Sequence, residues 1–216
     1  MIIAYFSVSA ATLIDNFLNV NHMNYGETNA YWYLRLNGFF LIENFVVHRT
    51  RKIAHSSDID ILGLRLPYVY EEVGGQNNDW DAVLLGELNP DLITGVICEV
   101  KTGAFEEADL FRKKYLKYCL DRFGFMPNLS DYTNQICENK ISVVEYDGRH
   151  FQIVKLFISN TEAKREDLLQ LRIKHLRQFI ENRIQKYKQQ KWQERLFFQS
   201  DFLGEHIDRK YNGEEN

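Results

Sequence analysis

The chain has 216 residues, a mass of 25.6 kDa and a formal net charge of −4. Hydrophobic residues make up 45% and aromatics 14%, enough for a real core, which excludes global disorder. No apolar run approaches the ~20 residues needed to span a bilayer. The acid balance excludes a protein that coats nucleic acid by bulk positive charge, while leaving a local basic surface open. The stretch Met1–Ala11 has no basic residue ahead of its apolar segment, which argues against a secretory signal. Cys98, Cys119 and Cys137 cannot all pair within one chain, and their spacing fits no zinc ribbon or finger. Buried, reduced thiols in a cytoplasmic protein are the expectation.

The first segment, Ile2 to Leu18, is apolar and reads as a helix, although Ile2, Ile3, Tyr5 and Val8 would also suit a strand. Gly26-Glu27-Thr28 then opens a second helix through Ala30 and Leu34, closed by Gly38. Phe39–His48 and Ile59–Leu66 read as strands, the latter ended by Pro67. Tyr68–Gly95 is irregular, with one short strand expected at Ala82–Leu85. Gly95–Val100 is a third strand, apolar enough to be central in a sheet. Phe105–Phe123 is expected to be helical. Asp147-Gly148 between two apolar runs, Ile141–Tyr146 and Phe151–Ile158, signals a hairpin, because that turn needs positive φ. Glu162–Phe198 reads as a long helix or helix pair with an apolar stripe at Leu169, Ile173, Leu176, Ile180, Ile184 and Tyr187. Helices before and after the strands predict a mixed α/β fold.

Chemistry concentrates at Asp58-Ile59-Asp60-Ile61-Leu62 and Glu99-Val100-Lys101. Alternate residues of a strand share a face, so Glu99 and Lys101 point the same way, as do Asp58 and Asp60. If the two strands are neighbours, Asp60 and Glu99 converge with the hard oxygen ligands that Mg²⁺ prefers. Lys101 would then hold a water or neutralise a phosphate beside them. A tripeptide of this kind is weak on its own: about two acidic-x-Lys matches are expected by chance, and the chain holds four, at Glu99, Glu138, Glu162 and Asp208. Only the first ends a buried-looking strand, where a carboxylate and an ammonium are expensive without a partner or a metal.

These residues together resemble the PD-(D/E)xK nuclease superfamily, the restriction-endonuclease-like fold. The resemblance is carried by Gly26-Glu27 with Leu34 and Gly38-Phe39, by Asp58-Ile-Asp60-Ile-Leu62, and by Ile97-Cys98-Glu99-Val100-Lys101. It covers about the first half of the chain. It implies a restriction-endonuclease-like mixed sheet flanked by helices, with an acidic residue on the first core helix (Glu27), an aspartate on the second strand (Asp60), a Glu-x-Lys pair on the third (Glu99 and Lys101) and a helix after it. It further implies Mg²⁺, replaceable by Mn²⁺, held by Glu27, Asp60 and Glu99, with Lys101 positioning the attacking water. The implied substrate is nucleic acid, DNA from family frequency, and the implied activity is phosphodiester hydrolysis by an endonuclease. One site per chain cuts one strand, so double-strand cleavage would need a homodimer. No separate DNA-reading domain is visible in the sequence, so the activity is expected to be structure-specific or to rely on a partner protein that delivers substrate.

Two features depart from the family pattern. No Pro precedes the aspartate. And 38 residues separate Asp60 from Glu99, where a tight hairpin is usual. Residues 67–95 would then be an insertion in a core spanning 1–160, followed by a basic helical extension over 161–216. Asp81 is the rival metal aspartate. The alternatives stay open at this point. Glu27 would also suit a first helical turn through the helix dipole. Asp60, Glu99 and Lys101 would also suit a structural salt-bridge cluster, on a catalytically inactive nucleic-acid-binding or assembly module or on an unrelated α/β protein. Asp58 is expected to be solvated or to support the site, and His48 and His55 to be structural. The segment Glu162–Arg195 holds ten basic residues against five acids. It reads either as a solvated amphipathic face or as a phosphate-tracking surface, to which Arg112, Lys113, Lys114 and Lys117 would add.

Overall fold

The computed structural model describes residues 24–47 and 57–190, with the side chains of 46, 47, 57 and 58 left aside. The expected helix Ile2–Leu18, both His48 and His55, and residues 191–216 of the expected extension lie outside the described residues.

Helix α1 (Tyr25–Leu36) begins where the sequence offers a capping box. The Asn24 side chain accepts the N–H groups of Gly26 and Glu27 at 2.9 and 3.1 Å, and Glu27 reaches back to the Asn24 N–H at 3.2 Å. The helix ends at Gly38, whose φ of +83° only glycine adopts cheaply. Strands β1 (Phe40–Val47), β2 (Ser57–Arg65) and β3 (Ile93–Lys101) form an antiparallel meander. Strand β5 (Arg149–Ser159) runs parallel to β3, and β4 (Ile141–Tyr146) pairs antiparallel with the first half of β5. The Asp147-Gly148 hairpin is present, with φ of +51° and +69°.

The sheet is mixed, six-stranded and flanked by helices. Alternate residues send β3 and β5 into two cores. Val96, Cys98, Val100, Leu156 and Ile158 meet α1 and the last helix. Ile97, Ile153 and Phe157 meet α3 (Lys113–Phe123) and α4 (Thr133–Glu138).

Three expected elements differ. Ala82–Leu85 is not a strand but the one-turn helix α2, because the Asp81 side chain caps it by accepting the Val83 N–H at 2.8 Å. A four-residue apolar run carries no period that would separate the two. The expected helix Phe105–Phe123 starts only at Lys113, since Phe111 takes φ +51° and breaks any helical path before it. The expected helix over Glu162–Phe198 contains a strand: Leu169–Arg172 is β6, which pairs in parallel with residues 156–159 of β5, and α5 (Ile173–Lys186) follows at once. The half of β5 that β4 leaves open is the reason. Leu169 and Leu171 bury at a spacing of two there, whereas Ile173, Leu176, Ile180 and Ile184 bury at helical spacing.

Residues 67–92 cross the α1/α5 face as a loop-rich lobe, pinned from below by Arg183 of α5. Arg183 is 5% exposed, donates to the carbonyls of Gly74 and Asp79, and lies over the rings of Trp80 and Phe179. Removing it strands two buried carbonyls. Arg183→Ala is expected to lower unfolding free energy by about 2–4 kcal/mol and to open residues 74–81 to limited proteolysis. Unchanged cleavage kinetics and urea midpoint would show that the lobe is held elsewhere.

Candidate active site at the fork between β2 and β3

The β2–β3 ladder runs from Arg65 opposite Thr94 to Ile61 opposite Cys98 and stops there. Strand β3 continues against β5 as far as Lys101 opposite Ser159. Past the last rung, Asp60 replaces the backbone: its Oδ2 accepts the Val100 N–H at 2.6 Å. On the β1 side, the ladder pairs Glu43 with Ile61 and Phe45 with Ile59 but skips Asn44 opposite Asp60, and Asn44 has φ +48°. Ile59 and Ile61 accordingly enter opposite cores rather than sharing one. The strand is turned locally at Asp60, which aims the carboxylate across the end of the ladder.

Glu99 and Lys101 flank Val100 on the other side of this fork. Lys101 Nζ lies 3.7 Å from Asp60 Oδ2 and is partly exposed, while the Asp60 side chain is only 14% exposed. Glu99 is 6% exposed, and its Oε1 accepts the Phe111 N–H at 2.8 Å. Burial pushes the Glu99 carboxyl up to about 7. The Phe111 N–H, Lys101 and Arg165 pull against that rise, while Asp60 adds to it. Burial also pushes the neighbouring Cys98 thiol up, and all three cysteines are free thiols.

Helix α1 enters at the same end of the sheet. A Cβ on Gly26 would fall 2.4 Å from Thr102 Cγ2 and 3.1 Å from Val100 Cγ1, so only glycine lets the first turn close onto the end of β3. Glu27 is therefore brought to this end, with its carboxylate engaged by Asn24 in the capping box. Among the described residues, no three His, Cys, Asp or Glu side chains form a group able to hold a metal ion.

Asp81 sits in a different network. It is buried, its Oδ2 is 2.5 Å from both the Tyr33 hydroxyl and His175 Nε2, and its N–H donates to Asn37 Oδ1 at 2.8 Å. Asp60, not Asp81, is the aspartate whose charge acts on Glu99. The side chain of Asp58 lies outside the described residues.

The ten basic residues of Glu162–Arg195 do not share one face. Arg165 turns inward onto Asp167, Arg183 is buried, and Lys191 and Arg195 lie outside the described residues. Lys164, Arg172, Lys174, Arg177, Lys186 and Lys188 are exposed. So are Arg112, Lys113, Lys114 and Lys117, which follow directly on the Phe111 N–H that meets Glu99. Nothing in the sequence marks that N–H, because a backbone group is common to almost every residue type.

The chain matches no family model, and no curated protein or solved structure is significantly similar to it. Among the described residues no helix is long and apolar enough to cross a membrane.

The elevated Glu99 pKa fixes a sign. The folded protein keeps a proton that the unfolded chain releases near the ordinary glutamate value, so this group makes stability fall as pH rises toward about 7. Glu99→Gln keeps an acceptor for Phe111 and removes the titration. From pH 5 to pH 8 the variant is expected to gain about 2–3 kcal/mol relative to the wild type in urea denaturation. Parallel stability curves would contradict a raised Glu99.

Proposed function

We propose that this chain is a divalent-cation-dependent nuclease of the PD-(D/E)xK kind, with Asp60, Glu99 and Lys101 as its working residues. The observation that carries the reading is the fork itself: an aspartate pairs with an amine where the β2–β3 ladder ends, and two residues before that amine on β3 lies a buried glutamate that feels both charges. The order of parts is also the order that the resemblance implies. Glu27 lies in the first turn of α1, Asp60 on β2, Glu99 and Lys101 on β3, and α3 follows.

The donor set fits a hard cation. Carboxylate oxygens are what Mg²⁺ and Mn²⁺ take, and a buried glutamate that stays protonated near neutrality gains most from a nearby positive charge. Asp60 and Glu99 would hold the ion, with Glu27 as the third carboxylate on release from its capping box. Such an ion supplies Lewis-acid charge neutralisation at a phosphate and lowers the pKa of a bound water.

The chain's own residues do the rest. Lys101 Nζ, beside Asp60, holds the attacking water oxygen by donating a hydrogen bond and screens the charge that grows on the phosphoryl oxygens. The Phe111 N–H holds Glu99 Oε1 in place. The exposed cations Arg112, Lys113, Lys114 and Lys117 track the phosphate backbone on either side of the cut bond. DNA is the proposed substrate.

One observation favours a second reading, a catalytically inactive nucleic-acid-binding or assembly module. Glu27 is already spent in the capping box, and Asp60 is already satisfied by Val100 and Lys101. The two readings separate in a cleavage assay on single- and double-stranded DNA with Mg²⁺ or Mn²⁺. The nuclease reading expects cleavage that Asp60→Ala, Glu99→Ala and Lys101→Ala each reduce to the metal-free background while leaving the circular dichroism spectrum unchanged. Undiminished cleavage in these variants would end it. DNA retention on gels without metal-dependent cutting would favour the second reading.

A further inference from the structure

A separate chain of contacts reaches Glu99 from the β5–β6 connection. Gln170 of β6 folds that connection onto itself: its Oε1 accepts the Ala163 N–H at 2.9 Å, and its Nε2 donates to the carbonyls of Ala163 and Arg165 at 3.0 and 2.9 Å. Arg165 is thereby turned inward. Its guanidinium forks onto Asp167, Nε to Oδ1 at 2.9 Å and Nη2 to Oδ2 at 2.6 Å. Asp167 is in turn held by Lys155, a fully buried amine 2.7 Å away that also donates to the Cys137 carbonyl at 2.6 Å. With the fork fixed at one end, Arg165 Nη1 donates to the carbonyls of Leu110 at 2.9 Å and Glu107 at 3.2 Å. The Lys164 N–H adds a bond to Glu107 Oε1 at 2.6 Å.

The Leu110 carbonyl and the Phe111 N–H belong to one peptide group. Arg165 grips its oxygen, and Glu99 Oε1 accepts from its nitrogen. Phe111 holds φ +51°, a conformation that a bulky residue keeps only when its surroundings impose it. A cation at the carbonyl end also polarises the amide, which strengthens the N–H as a donor.

We propose that Arg165 is a positioning residue for the candidate site: by clamping the Leu110 carbonyl it fixes the peptide whose N–H orients Glu99. The inference rests on the reading of Glu99 as a cation-holding carboxylate. It assigns the inward-turned arginine of the β5–β6 connection a role in the site rather than on a phosphate-tracking surface.

The test compares wild type, Arg165→Ala and Arg165→Lys by two readouts, amide hydrogen exchange followed by NMR and Mn²⁺ titration followed by electron paramagnetic resonance. In Arg165→Ala the Phe111 amide is expected to exchange at least about tenfold faster relative to the β3 and β5 amides, which report global stability within the same sample. Mn²⁺ affinity is expected to fall about 10- to 100-fold. Arg165→Lys keeps the charge and loses the fork, so it recovers part of both; it carries the comparison if the alanine variant does not fold. Phe111 exchange in step with β5 would overturn the proposal, and so would Mn²⁺ affinity unchanged from a wild type that binds. If the wild type binds no Mn²⁺, the cation reading is what fails, and the exchange result decides the clamp by itself.

Discussion

The carboxylate of Asp60 stands where a backbone carbonyl would continue the sheet. Strands β2 and β3 part after Ile61 and Cys98, and the Val100 N–H beyond that point would be buried without an acceptor. An orphaned buried donor costs about 1–3 kcal/mol, so Asp60 is held to this geometry by the needs of the fold itself. Everything else at the site follows from that one bond. It sets Asp60 beside Lys101, brings its charge to bear on Glu99, and leaves a fork that a continuous ladder would have closed.

This arrangement gives two carboxylates contrasting environments. Asp60 is partly open and paired with an amine. Glu99 is buried and keeps its proton close to neutral pH. Under the proposed reading, a cation bound by the two carboxylates would offset the burial that Lys101 and Arg165 offset only in part. The supporting layer is made of ordinary fold elements. The first turn of α1 closes onto β3 through Gly26, and the Leu110–Phe111 peptide is clamped between Arg165 and Glu99. The lobe over residues 67–92, most of the stretch 67–95 expected from sequence to be an insertion, is attached to the opposite face through Arg183 and Asp81.

Sequence legibility followed the range of the interactions. The strands near β1, β2 and β3 and the Asp147-Gly148 hairpin were readable, though not the order of the strands, because period-two burial and turn chemistry are local. Glu99 and Lys101 were readable for the same reason: two residues apart on a strand, they share a face whatever the rest of the chain does. Their proximity to Asp60 was conditional on strand order, which local pattern does not specify. The strand β6 was missed because Leu169 sits four residues before Ile173, a spacing that suits a helix; only the vacant edge of β5 decides otherwise. The inward turn of Arg165 was equally invisible, since Gln170, Asp167 and Lys155 act on it through tertiary contacts. In the charge pattern of 162–195 it is indistinguishable from a surface cation.

The most direct test is to locate a cation in the folded chain. Crystals grown or soaked with Mn²⁺ and measured at an energy where manganese scatters anomalously would show where it binds. A peak is expected in the fork, in coordination contact with the carboxylates of Asp60 and Glu99 and close to Lys101 Nζ. A peak confined to other carboxylates, or an empty fork at saturating Mn²⁺, would contradict it.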